Sequence, residues 1–453
     1  MCDDSLSTTR VPGEPTPYEV GLAEIAAGRR TVLKLGGAGL VFSSAAAVAT
    51  GATGVATEPA AAAGKNLRTT KKRAYVLVVD GCIPSEIDSG LTPNLFAMRN
   101  EGYRYSRASA KPIMETLPNH TMMMTGVRPD RSGVPSNTIY DRQEKVIRTL
   151  DRPSDMRADT IIERLNRKGL RTGTVLSKEY LYGIFGTRAT DRWEPAPIIP
   201  VSEHAPDQFT MDAALAMLED LDPHLMFVNL GDVDRVGHSD YTGPLGLKAA
   251  RRAALLSTDT QVGRFVSALK SSGKWEDSMV IVLADHSMDW SKPQSVITLT
   301  SVFEEDPFLA GKFVIADNGG ADLIYWTGPK RQRAKALKKM RRLARATPGV
   351  LNCKDPESRW MRCGPEAGDL VVFCKAGWRF SDPDPIRSNP IPGNHGHPAT
   401  RPIPFFISGG HPKVPRSKAS PTVAHTLDVA PTVADFFGIR KQPKGGYDGR
   451  SRL

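Results

Sequence analysis

Five stretches place Asp, His or Thr where the chain turns after an apolar run or opens a helix. They are "VVDG" with Asp80, "ETLPNH" with Thr116 and Asn119, "DVDRVGH" with Asp232, Asp234 and His238, "ADHS" with Asp285 and His286, and "GNHGH" with His395 and His397. Each alone has an ordinary reading: Asp80 as a turn former, Asp234 and His238 as a polar loop, His395 between glycines as loop chemistry. Asp285 and His286 resist that reading, because an ionisable pair leaving the buried run "VIVLA" needs partners. Taken together, oxygen and nitrogen donors at element ends, with no cysteine among them, suit two neighbouring divalent cations. Such a pair, roughly 4 Å apart, binds the attacking and leaving oxygens of an in-line phosphoryl displacement and lowers the pKa of a coordinated hydroxyl. Without that help Thr116 is a poor nucleophile near neutral pH.

These residues need elements to position them. From residue 74 onward, β-branched runs alternate with helical patterns: "AYVLVVDG" as strand, "TPNLFAMRNEG" and "DTIIERLNRKG" as helices, "LRTGTVLS" as strand. The alternation continues with "FTMDAALAMLEDL" as helix, "HLMFVNLGD" as strand, "LKAARRAALLSTDTQVGRFVSALKSSG" as a long helix and "SMVIVLADH" as strand. Strands apolar on both faces and separated by amphipathic helices indicate an α/β sandwich around a mostly parallel sheet. Three of the strands end in acids, Asp80, Asp232 with Asp234, and Asp285, and ligands bind beyond the carboxyl ends of such strands. Between residues 301 and 389 the rhythm changes to hairpin strands plus the basic helix "KRQRAKALKKMRRLAR", which reads as a small α+β subdomain inserted in a core of 74–300 and 390–440. The core resumes with "PIPFFISGG" as a strand and "TLDVAPTVADFFGI" as a final helix. A helix is also expected to begin near Leu117–Asn119, with Thr116 at its N-terminus, where a cap belongs and where an anion is favoured.

The order of the motifs resembles the type I phosphodiesterase/nucleotide pyrophosphatase family of the alkaline phosphatase superfamily, over about residues 74–440. The resemblance implies an alkaline-phosphatase-like fold and two metal ions, zinc in that family. By motif, Asp80, Thr116, Asp285 and His286 match the ligands of one ion, and Asp234, His238 and His395 those of the other. It prefers Asp234 to Asp232 and His395 to His397. It makes Thr116 the transiently modified nucleophile and Asn119 the amide donor to a phosphate oxygen. The implied activity is hydrolysis of phosphodiester or pyrophosphate bonds in a small phosphorylated substrate, a nucleotide or another diester. A phosphomonoesterase or a phospholipid head-group hydrolase is the alternative within the same chemistry, and an inactive envelope protein that binds an anionic polymer is the alternative outside it. Leu117 stands where nucleotide-preferring members tend to carry an aromatic residue, and no clear Trp-Pro-Gly segment is present, which weakens the expectation of nucleobase selectivity.

Composition sets the remaining bounds. A chain of 453 residues with 40% hydrophobic residues builds a large core, and a formal charge of +11 suits an anionic partner. No Lys/Arg stripe interleaved with aromatics marks a nucleic-acid groove. Residues 1–63 carry Arg29–Arg30, a Gly/Ala-rich apolar run and small residues ending near Ala61–Ala63, as in a twin-arginine signal read by the Tat translocase. The expected location is extracellular, periplasmic or at the cell envelope, with no transmembrane span in the mature chain. An exported chain permits disulfides, and Cys353 with Cys363 or Cys374 is a pairing that would close a loop.

Overall fold

The computed structural model describes residues 70–453 apart from 88–89, 197, 199–203, 241–247 and 440–442, all within one unit, Ala62–Leu453. The signal-like segment 1–63 lies outside the described residues. Twelve strands matter for the site: β1 (Arg73–Val79), β2 (Tyr103–Ser109), β3 (Thr172–Val175), β4 (Asp191–Trp193), β5 (Leu225–Leu230), β6 (Ser278–Leu283), β7 (Phe313–Asp317), β8 (Ala321–Trp326), β9 (Val350–Lys354), β10 (Leu370–Cys374), β11 (Phe405–Ser408) and β12 (Lys418–His425). The helices that matter with them are α1 (Pro93–Glu101), α2 (Thr116–Thr125), α3 (Ile161–Asn166), α4 (Glu179–Phe185), α5 (Asp207–Asp220), α6 (Asp232–Ser239), α7 (Ala249–Ser271), α8 (Arg333–Ala346) and α9 (Val429–Phe437).

The main sheet has eight strands in the order β12-β2-β11-β6-β1-β5-β3-β4. All neighbours run parallel except those of β11, which is antiparallel to both β2 and β6. Strands β1, β5 and β6 are buried almost throughout, so both of their faces are covered, as their unbroken apolar runs require. Helices pack in two groups, α1, α5 and α6 around α7, and α3, α4 and α9 around α2. This is the α/β architecture expected from the alternation.

The antiparallel sense of β11 brings the site together. Parallel pairing puts the carboxyl ends of β1, β5 and β6 at one edge, so Asp80, Asp234 and Asp285 leave the sheet side by side. Strand β2 runs the same way, and the chain leaving it reaches Thr116 at that edge. Strand β11 runs opposite, with Phe405 across from Leu283, so the segment leading into it, which holds His395, arrives where the others depart.

The second sheet, β7-β8-β10-β9, is antiparallel throughout. Its period-two alternation serves two cores. Leu323, Tyr325, Val371 and Phe373 join the main cluster, while Ile324, Trp326, Leu370 and Val372 join a separate one with Met340 and Ala344 of α8. Ala336, Met340 and Ala344 recur every fourth residue, which is the buried stripe of the basic helix.

One expectation is corrected here. Cys82, Cys353, Cys363 and Cys374 are all buried free thiols, so Cys353 closes no loop with Cys363 or Cys374. Cys353 lies across from Val372 and Cys374 across from Val350, so the two are out of register on neighbouring strands. Among the described residues, no helix is long and apolar enough to cross a membrane.

Candidate active site

Asp80 follows β1 and is fully buried, with its backbone N–H donating to the Leu230 carbonyl at 3.0 Å. The chain must turn at once, and Gly81 permits it: its φ is +71°, and a Cβ there would lie 3.1 Å from Cβ and Oδ1 of Asp234. The Gly81 N–H donates to Asp285 Oδ1 at 3.2 Å, and the His286 N–H to the same oxygen at 3.0 Å. Asp285 is thereby clamped by backbone, with Oδ2 left over.

Thr116 is the first residue of α2, and Glu115 occupies the cap position. The threonine hydroxyl is therefore not spent on capping. Its Oγ1 lies 3.3 Å from His286 Nε2, and the side chain is fully buried. Two carbonyls settle the histidine tautomers: His286 Nδ1 is 3.0 Å from the Ser287 oxygen, and His238 Nδ1 is 2.8 Å from the Gly393 oxygen. Both Nδ1 atoms must donate, which leaves an Nε2 lone pair on each ring facing the cluster. The second contact requires Gly393, where a Cβ would meet the Gly237 carbonyl oxygen at 2.4 Å.

The seven residues converge. His286 and His395 stack with centroids 3.7 Å apart, and His238 meets His395 edge-on at 5.0 Å. His286 Nε2 lies 3.7 Å from Asp80 Oδ1 and 3.4 Å from Asp285 Oδ2. Asp234 Oδ1 is 3.4 Å from His238 Nε2 and 3.9 Å from His395 Nε2. Asp80 Oδ1, Asp234 Oδ1, Asp285 Oδ2 and His395 Nδ1 are buried polar atoms without a hydrogen-bond partner among the described residues. Unpartnered carboxylate oxygens gathered among imidazoles in this way fit divalent cations. Potential ligand atoms lie within 4.8 Å of one another in two sets, Asp234 with His286 and His395, and Asp80 with His120 and Asp285.

The electrostatics agree. Burial, then repulsion from Asp285, raises the Asp80 pKa, and burial raises that of Asp285. Burial acts on Asp234 too, but the Lys178 ammonium outweighs it and holds its pKa well below the usual range. Burial lowers His286 to about 4 and holds His395 well below its ordinary value, so both rings are neutral and able to ligate.

Four residues that sequence reasoning passed over organise this cluster. Lys178, fully buried, donates through Nζ to Oδ2 of Asp80 and of Asp234, each at 2.7 Å, and its pKa is raised by these two acids against the pull of burial. It occupies the inner oxygen of each carboxylate and leaves the outer one free. Asn229 donates to Asp80 Oδ2 at 2.9 Å and lies 3.2 Å from His120 Nε2, while its carbonyl accepts from Ser177 at 2.6 Å. His120 Nδ1 in turn donates to the Thr116 carbonyl at 2.9 Å. Both His120 nitrogens are thus used in orienting neighbours. The available signal was the one used for the acids: Lys178 stands just beyond the buried strand β3, and Asn229 interrupts the apolar run of β5.

The structure places the remaining expected residues elsewhere. Asn119 does not face the cluster. Its amide donates to the carbonyls of Ile113 and Glu115, each at 3.0 Å, and its oxygen accepts from the Lys111 N–H at 3.1 Å and from Thr426 at 2.9 Å. It braces the segment entering α2. Asn137 lines the cavity of about 310 Å³ beside the cluster, with Asp234, His238 and His395. Its oxygen accepts the Leu117 N–H at 2.8 Å at the helix N-terminus, and among the described residues no hydrogen bond engages its amide nitrogen. Asp232 pairs with His204 at 3.0 Å and His397 with Asp289 at 3.0 Å, so both alternatives are engaged outside the cluster.

Comparison with known proteins follows this geometry. Residues 74–398 match the type I phosphodiesterase / nucleotide pyrophosphatase family. A bis(5'-adenosyl)-triphosphatase ENPP4 from Bos taurus is 21% identical over 86% of this chain and 83% of its own. The Xenopus laevis counterpart is 22% identical over 78% and 75%. The solved structure of murine ectonucleotide pyrophosphatase/phosphodiesterase 5 covers 81% of this chain and 95% of its own, at 18% identity and a TM-score of 0.67. A phosphonoacetate hydrolase from Sinorhizobium meliloti, solved with phosphonoacetate, covers 82% and 95% at 19% identity and a TM-score of 0.62.

Proposed function

The chain belongs to the type I phosphodiesterase / nucleotide pyrophosphatase family, and from that premise we propose that it is a two-metal hydrolase of phosphodiester or pyrophosphate bonds with Thr116 as nucleophile. The observation that carries this reading is the cluster of Asp80, Thr116, Asp234, His238, Asp285, His286 and His395, all buried but His238, with unpartnered polar atoms on four of them. Asp80, Thr116, Asp285 and His286 would hold one cation and Asp234, His238 and His395 the other; zinc suits this mixed set of imidazole and carboxylate donors. Cations bound there supply charge against the phosphate oxygens and lower the pKa of the threonine hydroxyl.

The chain's own residues do the rest. Thr116 sits where the N-terminus of α2 favours an anion, and its oxygen attacks phosphorus as the alcohol or phosphate leaves. Water then cleaves the phosphothreonine ester, returning the hydroxyl. Asn137, held by the Leu117 N–H, presents its amide to a non-bridging oxygen, the role the motif order had assigned to Asn119. Lys178 holds Asp234 ionised, opposes the burial that raises the Asp80 pKa and fixes the spacing of the two acids.

The leaving group enters the cavity beside the cluster. Tyr180 there is covered by the Arg235 guanidinium, 5.5 Å from its ring centroid, and Asp317, Asn318, Asp382 and Asn389 line the opposite part. These polar walls favour a small polar leaving group over a stacked nucleobase, in keeping with Leu117, which is buried in the core. Turnover of bis(p-nitrophenyl) phosphate by metal-reconstituted protein, compared with p-nitrophenyl phosphate and p-nitrophenyl thymidine monophosphate, tests the reading. Diester cleavage supports it, monoester cleavage alone moves the assignment to a phosphomonoesterase, and no cleavage with less than one zinc bound per chain favours an inactive anion-binding protein. Export rests on Arg29–Arg30 and the run that follows. Replacing both arginines with lysine and finding the chain still secreted would remove that part.

A further inference from the structure

A second cavity, of about 370 Å³, opens where separate stretches of chain meet away from the cluster. Lys111 contributes from the segment after β2, Arg128 from the turn after α2, Arg359 and Arg362 from the stretch between β9 and β10, and Arg450 and Arg452 from the last residues of the chain. None of these lines the cavity beside Thr116. Two carboxylates share the walls, and both are already engaged. Asp428 accepts from Arg452 Nε at 2.7 Å, and Asp448 from Arg362 at 2.9 Å and Arg131 at 3.2 Å. The side chains of Lys111, Arg128, Arg359 and Arg450 have no carboxylate at ion-pair distance among the described residues.

Burial makes this imbalance costly. Arg128 is only 6% exposed; its Nη2 donates to the carbonyls of Trp360 and Met361, and its Nε is buried without a partner. Among the described residues Lys111 Nζ finds only the imidazole of His425, at 3.0 Å. Burial, with the Arg128 and Arg401 guanidiniums, lowers the Lys111 pKa to about 8. Like charges held together in a concavity focus a positive potential into it, and planar guanidiniums match the oxygens of a tetrahedral anion.

We propose that this cavity is a second binding site, built for a small multiply charged oxyanion of the phosphate type. The two deepest cations, Arg128 and Arg452, are each more than nine-tenths buried, which selects a small free anion over a polymer or a bilayer face. The site adjoins the hydrolytic one through α2: Asn119 bonds the Lys111 backbone on one side and Thr426, next to His425, on the other. An anion seated there draws on the same segment, 111–119, that carries Thr116.

Tungstate, a phosphate mimic located by its anomalous scattering, tests this in crystals of the metal-loaded full chain, together with titration calorimetry in solution. A tungsten peak is expected among Lys111, Arg128, Arg450 and Arg452. The double variant Arg359→Ala/Arg450→Ala removes exposed side chains without a carboxylate partner; it should bind at this cavity at least about tenfold more weakly, since each lost charge-assisted bond is worth more than 1.4 kcal/mol. Its turnover of bis(p-nitrophenyl) phosphate should match the parent's. No peak here, or a peak with unchanged affinity in the variant, which marks an adventitious ion only, overturns the proposal. Neither result bears on Thr116, whose assignment is read from turnover.

Discussion

Two charged centres adjoin helix α2, and they are opposites. At its N-terminus three buried carboxylates and three imidazoles crowd around Thr116, with Lys178 as the cation between them. Around Lys111 and Arg128, before and after the helix, cations outnumber carboxylates. Both hold buried polar atoms without partners, Asp80 Oδ1, Asp234 Oδ1 and Asp285 Oδ2 in one and Arg128 Nε in the other. The first is thus organised for cations and the second for an anion. The difference lies in who supplies the missing charge: the inner carboxylate oxygens at the first centre are matched by Lys178 and only the outer ones are bare, whereas at the second centre Asp428 and Asp448 are spent on Arg452, Arg362 and Arg131 and leave Lys111, Arg128, Arg359 and Arg450 unmatched.

The sharpest break of this comparison is Thr116→Ala. Turnover of bis(p-nitrophenyl) phosphate should fall by at least about ten-thousand-fold, with circular dichroism and Tm unchanged, because a nucleophile cannot be replaced by binding alone. Chelation should come next. It should abolish turnover and also lower Tm, since Asp80 and Asp285 then repel each other in a buried site; added zinc should restore both, and a Tm indifferent to chelation would count against cations as structural partners of the acids. Asn137→Ala should cost kcat about a hundredfold, the worth of one donor to the developing charge. Asn119→Ala should instead lower Tm, with KM and kcat much less affected, because its bonds hold backbone. A larger kcat loss in Asn119→Ala than in Asn137→Ala would reverse the two roles.

The smallest effect separates both centres from an ordinary buried acid. Asp322 in β8 is fully buried beside Asp382 and Asp317, and burial first, then these neighbours, raises its pKa well above the usual value. The folded chain therefore keeps a proton that the unfolded chain releases above about pH 4, so stability falls as pH rises from there toward the folded pKa. Asp322→Asn should flatten this dependence by up to about 1.4 kcal/mol per pH unit, visible as a Tm gain over the parent that is larger at pH 7 than at pH 5. A gain independent of pH would mean the proton is not the cause.

The sequence by itself determined the alternating strands and helices and the residue types at their ends. Those follow from periodicity and from the cost of burying an ionisable group, which are local properties: "VVDG", "DVDRVGH" and "ADHS" each announce a strand end with chemistry on it. Which of two neighbouring groups faces the site was decided by tertiary structure. Asp234 and His395 turn inward because Asp232 is taken by His204 and His397 by Asp289, partners far away in the chain. Asn119 sits closer in sequence to Thr116 than Asn137 does, yet the helix directs it at the backbone behind, and it is Asn137, just before the strand Thr138–Asp141, that bonds the Leu117 N–H at the front of α2. Lys178 and the basic cavity were invisible for the same reason: a lysine or arginine in a scattered pattern acquires a role only when the fold closes stretches distant in the chain around it. The reversal of β11 is the clearest case, because strand direction is set by where the chain re-enters the sheet, and no local pattern in "PIPFFISGG" carries it.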